Sequence, residues 1–184
     1  MDKRLLSCDI DGILNDYPEC WLDYLGERCG RRYGSVHEAK NCELLYKEYK
    51  SDYRKSEFKA NLPVRTEGAE LLKELNRRGY SIVIATSRPL NNPQYPGLYD
   101  LTRNWLFKND IPFDTLLFKD SSVDFIDLYP DIELHIEDEF KYAQVVAQRG
   151  IPVFLYSKHL KPGESATKGI TLVNNLLTIL DYVG

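Results

Sequence analysis

The chain has 184 residues, 43% of them hydrophobic and 28% charged, with a formal net charge of −4. That length suits one domain, or one domain carrying an insertion, and the apolar share is enough to build a core. The acidic balance excludes a dedicated binder of nucleic-acid polymer, and no run approaches the roughly 18 apolar residues of a membrane helix. The opening MDKRLLSCDID has a basic pair but no signal-like apolar stretch, which sets the expectation of a soluble, cytoplasmic protein.

Arg4–Cys8 is a short apolar run that ends directly at acids and reads as a first strand. No clear strand follows before Thr66. Instead Trp21, Tyr24 and Leu25 share one helical face, and Leu45, Tyr49 and Tyr53 recur at i, i+4, i+8. A helical pair is therefore predicted as an insert over residues 17–62, with Gly30, Gly34 and Ser35 in its turn. The remaining chain, 1–16 and 63–184, reads as the core domain. Thr66–Arg78 is predicted helical, with Thr66 as N-cap and Gly79 as stop. Tyr80–Ala85 is a strand, Leu98–Asn109 a helix, Asp114–Phe118 and Glu133–Ile136 strands. Phe140–Arg149 is a helix closed by Gly150, and Pro152–Tyr156 a fifth strand. Thr171–Tyr182 completes the series as an amphipathic helix. Strand and helix alternating at this pitch predict an α/β fold with a five-stranded parallel sheet flanked by helices.

In an open parallel sheet, ligands gather beyond the carboxyl ends of the strands. Those positions hold Asp9-Ile10-Asp11-Gly12, Thr86-Ser87-Arg88, Lys119-Asp120 and Glu137-Asp138-Glu139. The joint set suits phosphoryl transfer. Carboxylates from two strand ends can chelate Mg²⁺, which takes oxygen ligands. A carboxylate nucleophile splits hydrolysis into two steps, and a second acid two residues on can shuttle the proton. A hydroxyl and an ammonium complete a cradle for the phosphate oxygens.

Asp9-Ile10-Asp11-Gly12-Ile13-Leu14-Asn15-Asp16 resembles the DxDGxLxD opening motif of haloacid dehalogenase (HAD) superfamily phosphatases. Ala85-Thr86-Ser87-Arg88 and Ile136-Glu137-Asp138 fit the spacing of that superfamily's second and fourth motifs. CDIDGILNDY, IATSRP and HIEDEFKYA are more narrowly similar to 5′(3′)-deoxyribonucleotidases and their bacterial relatives. The resemblance implies an HAD-like Rossmannoid core with sheet order 5-4-1-2-3 and a small helical cap inserted after strand one. It implies that Asp9 is nucleophile and metal ligand, and that Asp11 is acid/base and gives its backbone carbonyl to the metal. Thr86 would bind phosphate, Lys119 would be the motif-three lysine, and Asp138 a metal ligand, with Glu137 a ligand or a supporting acid. Gly12, Ser87 and Arg88 join the substrate-binding candidates. The cofactor implied is Mg²⁺, and the partner a small phosphorylated metabolite, foremost a nucleoside monophosphate.

Other readings of these residues stay open. Arg88 reaches substrate or pairs with a carboxylate, and Glu139 suits the dipole of a helix N-terminus. His135, inside an apolar run, reads as a satisfied core residue. Tyr17 or Trp21, where the chain leaves the catalytic turn, is expected to touch the leaving group. The basic cap residues Arg28, Arg31, Arg32, Lys47, Lys50, Arg54 and Lys55 either attract an anionic substrate or form a solvated face. Cys8, Cys20, Cys29 and Cys42 include no CxxC pair and read as reduced, buried thiols rather than a zinc site with His37. A sugar or other small-metabolite phosphatase on the same fold is the near alternative, and a catalytically silent HAD-fold binding protein the remote one. A phosphorylation-sensing receiver module fails on position, since its phosphorylated Asp follows strand three and here the acid motif follows strand one.

Overall fold

A computed structural model describes residues 4–90, 95, 97–118, 125–158 and 167–184. Among these residues six strands, β1 (Arg4–Cys8), β2 (Tyr80–Thr86), β3 (Thr115–Phe118), β4 (Ile132–Glu137), β5 (Val153–Tyr156) and β6 (Ile170–Val173), form one sheet. Their order is β3-β2-β1-β4-β5-β6, and every pairing is parallel. The first five strands therefore stand in the expected order, with β1 flanked by β2 and β4. The sixth corrects the five-stranded prediction. The helix predicted from Thr171 gives way to a strand, Ile170–Val173, that extends the edge beside β5, and a 3-10 helix follows over Leu176–Asp181. Asn175 separates the two, its side chain accepting from the Leu177 amide at 2.8 Å. Short polar side chains of this kind compete with regular structure and start new elements.

The insert holds four helices rather than a pair: α1 (Glu19–Cys29), α2 (Val36–Cys42), α3 (Tyr46–Lys55) and α4 (Glu57–Ala60). Gly30 ends α1 in the left-handed region, φ 67°, and Ser35 caps α2 by accepting from the Glu38 amide. Ser56 caps α4 in the same way through the Lys59 amide. Trp21, Tyr24, Leu25, Tyr33, Ala39 and Tyr53 pack into a separate core of the insert. After it come α5 (Thr66–Arg77), α6 (Leu98–Lys108), α7 (Phe125–Leu128) and α8 (Phe140–Gln148). Arg65, not Thr66, occupies the N-cap of α5, with no side-chain cap bond. The short α7 carries too few residues to show a period in sequence.

Alternation along the strands gives the sheet two apolar faces. Ile82, Ile84, Phe154 and Tyr156 pack with α5, α6 and the 3-10 helix. Ala85, Val153 and Leu155 pack with α7 and α8. Among the described residues no helix is long and apolar enough to cross a membrane.

The turn after β1 is braced from beneath by α5. The Arg65 amide donates to the Leu14 carbonyl at 2.8 Å, and a Cβ at Gly68 would stand 2.6 Å from the Ile13 carbonyl oxygen. Backbone cannot yield as a side-chain tip can, so Gly68→Ala should cost about 2 kcal/mol, roughly 4–8 °C in Tm for a chain of this size. An unchanged Tm in differential scanning calorimetry would show that α5 does not hold the turn this closely.

Candidate active site

Adjacent central strands β1 and β4 end together and deliver the acids. The Asp9 amide donates to the Ile136 carbonyl at 3.0 Å, which sets the end of β1 against the end of β4. Carboxylate oxygens of Asp9, Glu137 and Asp138 then lie within 4.8 Å of one another. Gly12, at φ 89°, makes that approach possible, because a Cβ there would lie 1.9 Å from the Asp138 Oδ2. Burial, together with the charges of Asp9 and Glu137, pushes the Asp138 carboxyl up to about 10. Crowded buried carboxylates need positive charge nearby, and a group of three carboxylate oxygens fits a hard divalent ion such as Mg²⁺.

Behind this trio runs a buried hydrogen-bonded chain. Ser7 Oγ bonds His135 Nδ1 at 2.8 Å, and His135 Nε2 bonds Glu137 Oε2 at 3.2 Å. The other Glu137 oxygen accepts from the Asp138 and Glu139 amides at 3.1 and 3.2 Å. Both oxygens of Glu137 are thereby oriented from the protein side. His135 is the satisfied core residue expected, and it also aims an acid.

Asp11 lines the same cavity as Asp9, in surroundings that no sequence motif announces. Its Oδ1 accepts from Lys59 Nζ at 2.9 Å, Arg88 at 2.9 Å and Asn15 Nδ2 at 2.8 Å, while Arg88 Nε reaches Oδ2 at 3.3 Å. Burial alone would raise Asp11, but the Arg88 and Lys59 charges outweigh it and hold the carboxyl well below its usual range. Arg88 thus takes the carboxylate-pairing alternative in this structure, and it also donates to Thr102 Oγ1 at 3.0 Å. Lys59, from α4, carried no sequence signal beyond its charge, since no motif links it to an acid 48 positions earlier.

A cavity of about 250 Å³ opens over these groups, lined by Asp9, Asp11, Thr86, Ser87, Arg88 and Glu137 from the core and by Tyr17, Lys50, Tyr53, Arg54 and Lys59 from the insert side. Thr86 is buried at the end of β2 and Ser87 is exposed. One substrate-binding expectation, Trp21, needs correction. Trp21 is fully buried and packs edge-on against Tyr46 with ring centroids 5.5 Å apart, because the insert needs a core of its own. Gly12 lines a smaller neighbouring cavity with Asp138, Arg65 and Tyr156, where its role is to give Asp138 room. Lys119 lies outside the described residues. Of the basic insert residues, Lys50 and Arg54 line the cavity, whereas Arg28, Arg31, Arg32, Lys47 and Lys55 are exposed. The cysteines are free thiols, but only Cys8 is buried; Cys42 is exposed, and Cys20 contacts the Tyr53 hydroxyl at 3.2 Å.

No protein-family model matches this sequence, and no curated protein sequence does. Solved structures do match. A haloacid dehalogenase-like family hydrolase of Streptococcus pneumoniae superposes with TM-score 0.67 at 15% identity, covering 99% of each chain. CbbY from Rhodobacter sphaeroides, solved with phosphate, gives 0.60 at 16% identity over 95% of each chain. D,D-heptose 1,7-bisphosphate phosphatase from B. bronchiseptica, solved with magnesium and phosphate, gives 0.58 at 13%, covering 98% of this chain and 97% of that one. The fold is HAD-like: a six-stranded parallel α/β sheet flanked by helices, with helices inserted after the first strand.

Lys50 sits among the rings of Trp21, Tyr17 and Tyr53, with its Nζ 4.1, 4.6 and 5.2 Å from their centroids. Burial, then the neighbouring Arg54 and Lys59 charges, pull its ammonium down to about 7. The unfolded chain binds this proton up to about pH 10.4 while the folded chain loses it near pH 7, so the penalty is full below pH 7 and fades as pH rises. Lys50→Met should therefore be more stable than the wild type at pH 6, with the gain shrinking towards pH 10. Each 1 kcal/mol gained would move Tm by about 2–4 °C. A gain independent of pH, or a loss at pH 6, in thermal melts across that range would contradict this.

Proposed function

We propose that this chain is a Mg²⁺-dependent hydrolase of phosphate monoesters that works through an aspartyl phosphate on Asp9. The observation that carries this reading is the grouping of Asp9 with Glu137 and Asp138, at a cavity that Asp11 and Thr86 also line. Asp9, Asp138 and Glu137, with the Asp11 backbone carbonyl, would hold the ion. Bound there, it supplies the positive charge that offsets repulsion between a carboxylate nucleophile and an anionic phosphate. Asp9 attacks phosphorus, the ester P–O bond breaks, and the leaving alkoxide takes a proton from Asp11. Asp11 then takes a proton from water, whose oxygen attacks the phosphorus of the aspartyl phosphate and releases inorganic phosphate and Asp9.

For that role Asp11 must be able to carry a proton, and Lys59 and Arg88 now keep it ionised. An entering phosphate competes for both cations, and as they turn to its oxygens the proton affinity of Asp11 recovers. Thr86 and Ser87 stand at the end of β2 to donate to the same oxygens. Lys119 completes the set as the motif-three lysine.

Residues 17–62 serve as the cap, closing over the strand ends and excluding bulk water. Nucleoside monophosphates are the leading substrate class, supported by the nucleotidase-like first motif and by Tyr17 and Tyr142 in the cavity lining. A sugar or other small-metabolite phosphate is the second reading, favoured by the four cations in that lining, Lys50, Arg54, Lys59 and Arg88. The cytoplasm suits either substrate. Asp9→Asn should reduce p-nitrophenyl phosphate hydrolysis to background, because an amide cannot act as the nucleophile. EDTA should silence the wild type and Mg²⁺ restore it. Wild-type turnover by Asp9→Asn would remove Asp9 from this role, and a wild type inert towards nucleotides, sugar phosphates and aryl phosphate alike would favour a silent binding protein.

A further inference from the structure

We propose that the cap half of the cavity is a receptor for a second anionic group, a phosphate or carboxylate carried by the leaving group, and that Lys50 and Arg54 bind it. This rests on the phosphomonoester hydrolase reading and names its substrate class more narrowly. Helix α3 turns Lys50, Tyr53 and Arg54 into the cavity at i, i+3 and i+4, while Lys47 and Lys55 on the same helix stay exposed. A helix that only needed solubility would have left all four cations outside.

The other charges of the cavity are accounted for. Asp11 pairs with Lys59 and Arg88, each at 2.9 Å. Glu139 pairs with Lys141 at 3.0 Å. The scissile phosphate, with Thr86 and the carboxylate trio, belongs to the core side. Lys50 and Arg54 have no carboxylate partner among the described residues. Among the described residues Lys50 donates to the Tyr17 hydroxyl, at 3.4 Å, and Arg54 to the Tyr95 hydroxyl, at 3.0 Å. The aromatic rings around Lys50 offset part of its desolvation, but rings satisfy a cation less fully than an anion does. The depressed Lys50 ammonium behaves as a cation short of a counter-charge. Arg54 adds a planar fork suited to two oxygens of a phosphate or carboxylate.

The test is calorimetric titration of the Asp9→Asn protein in Mg²⁺ with matched pairs: glucose 1,6-bisphosphate against glucose 6-phosphate, adenosine 3′,5′-bisphosphate against AMP, and phosphoglycolate against ethyl phosphate. The doubly anionic member of at least one pair should bind at least tenfold tighter, and which pair responds tells a phosphate from a carboxylate. Adding Lys50→Gln or Arg54→Gln should cut the preference below threefold, while Lys73→Gln, which removes an exposed charge on α5, should keep it. Two substitutions guard against one that fails to fold, which thermal melting would reveal. Equal affinity within each pair, or a preference that survives both substitutions, overturns the proposal. A preference present while the wild type releases no phosphate from any compound supports the anion receptor and sinks the hydrolase reading instead.

Discussion

Four carboxylates, Asp9, Asp11, Glu137 and Asp138, meet where β1 and β4 end side by side, and their mutual repulsion has to be answered by positive charge. Two different answers are built in. Lys59 and Arg88 pair with Asp11, and Asp9, Glu137 and Asp138 group carboxylate oxygens in a way suited to a divalent ion. Much of the surrounding structure follows from keeping these groups close without collapse. Gly12 removes the atom that would strike Asp138, Gly68 lets α5 come up beneath the same turn, and Ser7 with His135 fixes the direction of Glu137.

The pair between Lys59 and Asp11 also ties the insert to the core. Ser56 starts the single turn of α4 that presents Lys59, and Trp105 Nε1 holds the chain just beyond it by donating to the Leu62 carbonyl at 2.8 Å. Arg65, at the return to the core, pairs with Asp16 at 2.9 Å, where the chain leaves it. Entry and exit of the insert are thus clamped to each other, and the reach of Lys59 to Asp11 brings the insert down over the strand ends. An anion that draws Lys59 away from Asp11 loosens one bond and makes another, so ligand entry and the protonation of Asp11 are physically linked.

The first five strands were legible because each is a short, largely apolar run that stops at a polar cluster. The polar clusters named the core half of the site for the same reason: chemistry in this fold collects where the apolar runs end. β6 was missed because Leu172, Leu176 and Ile179 mimic a helical stripe, although Ile-Thr-Leu-Val followed by two asparagines is a strand and a break. The insert half was not legible. Its residues are placed by packing between helices, not by a motif, so Trp21 was assigned to the pocket when it belongs to the insert's core, and Lys59 passed unnoticed. Helical spacing told which residues share a face and not which face meets the cavity.

The central claim, that the carboxylate trio is a cation site, is tested most directly by crystals of the full chain soaked in Mn²⁺ as an anomalous stand-in for Mg²⁺. The account predicts one anomalous peak between Asp9 and Asp138, beside Glu137, and its loss in Asp138→Asn. No peak at that position in the wild type, or a peak that persists in Asp138→Asn, would contradict it.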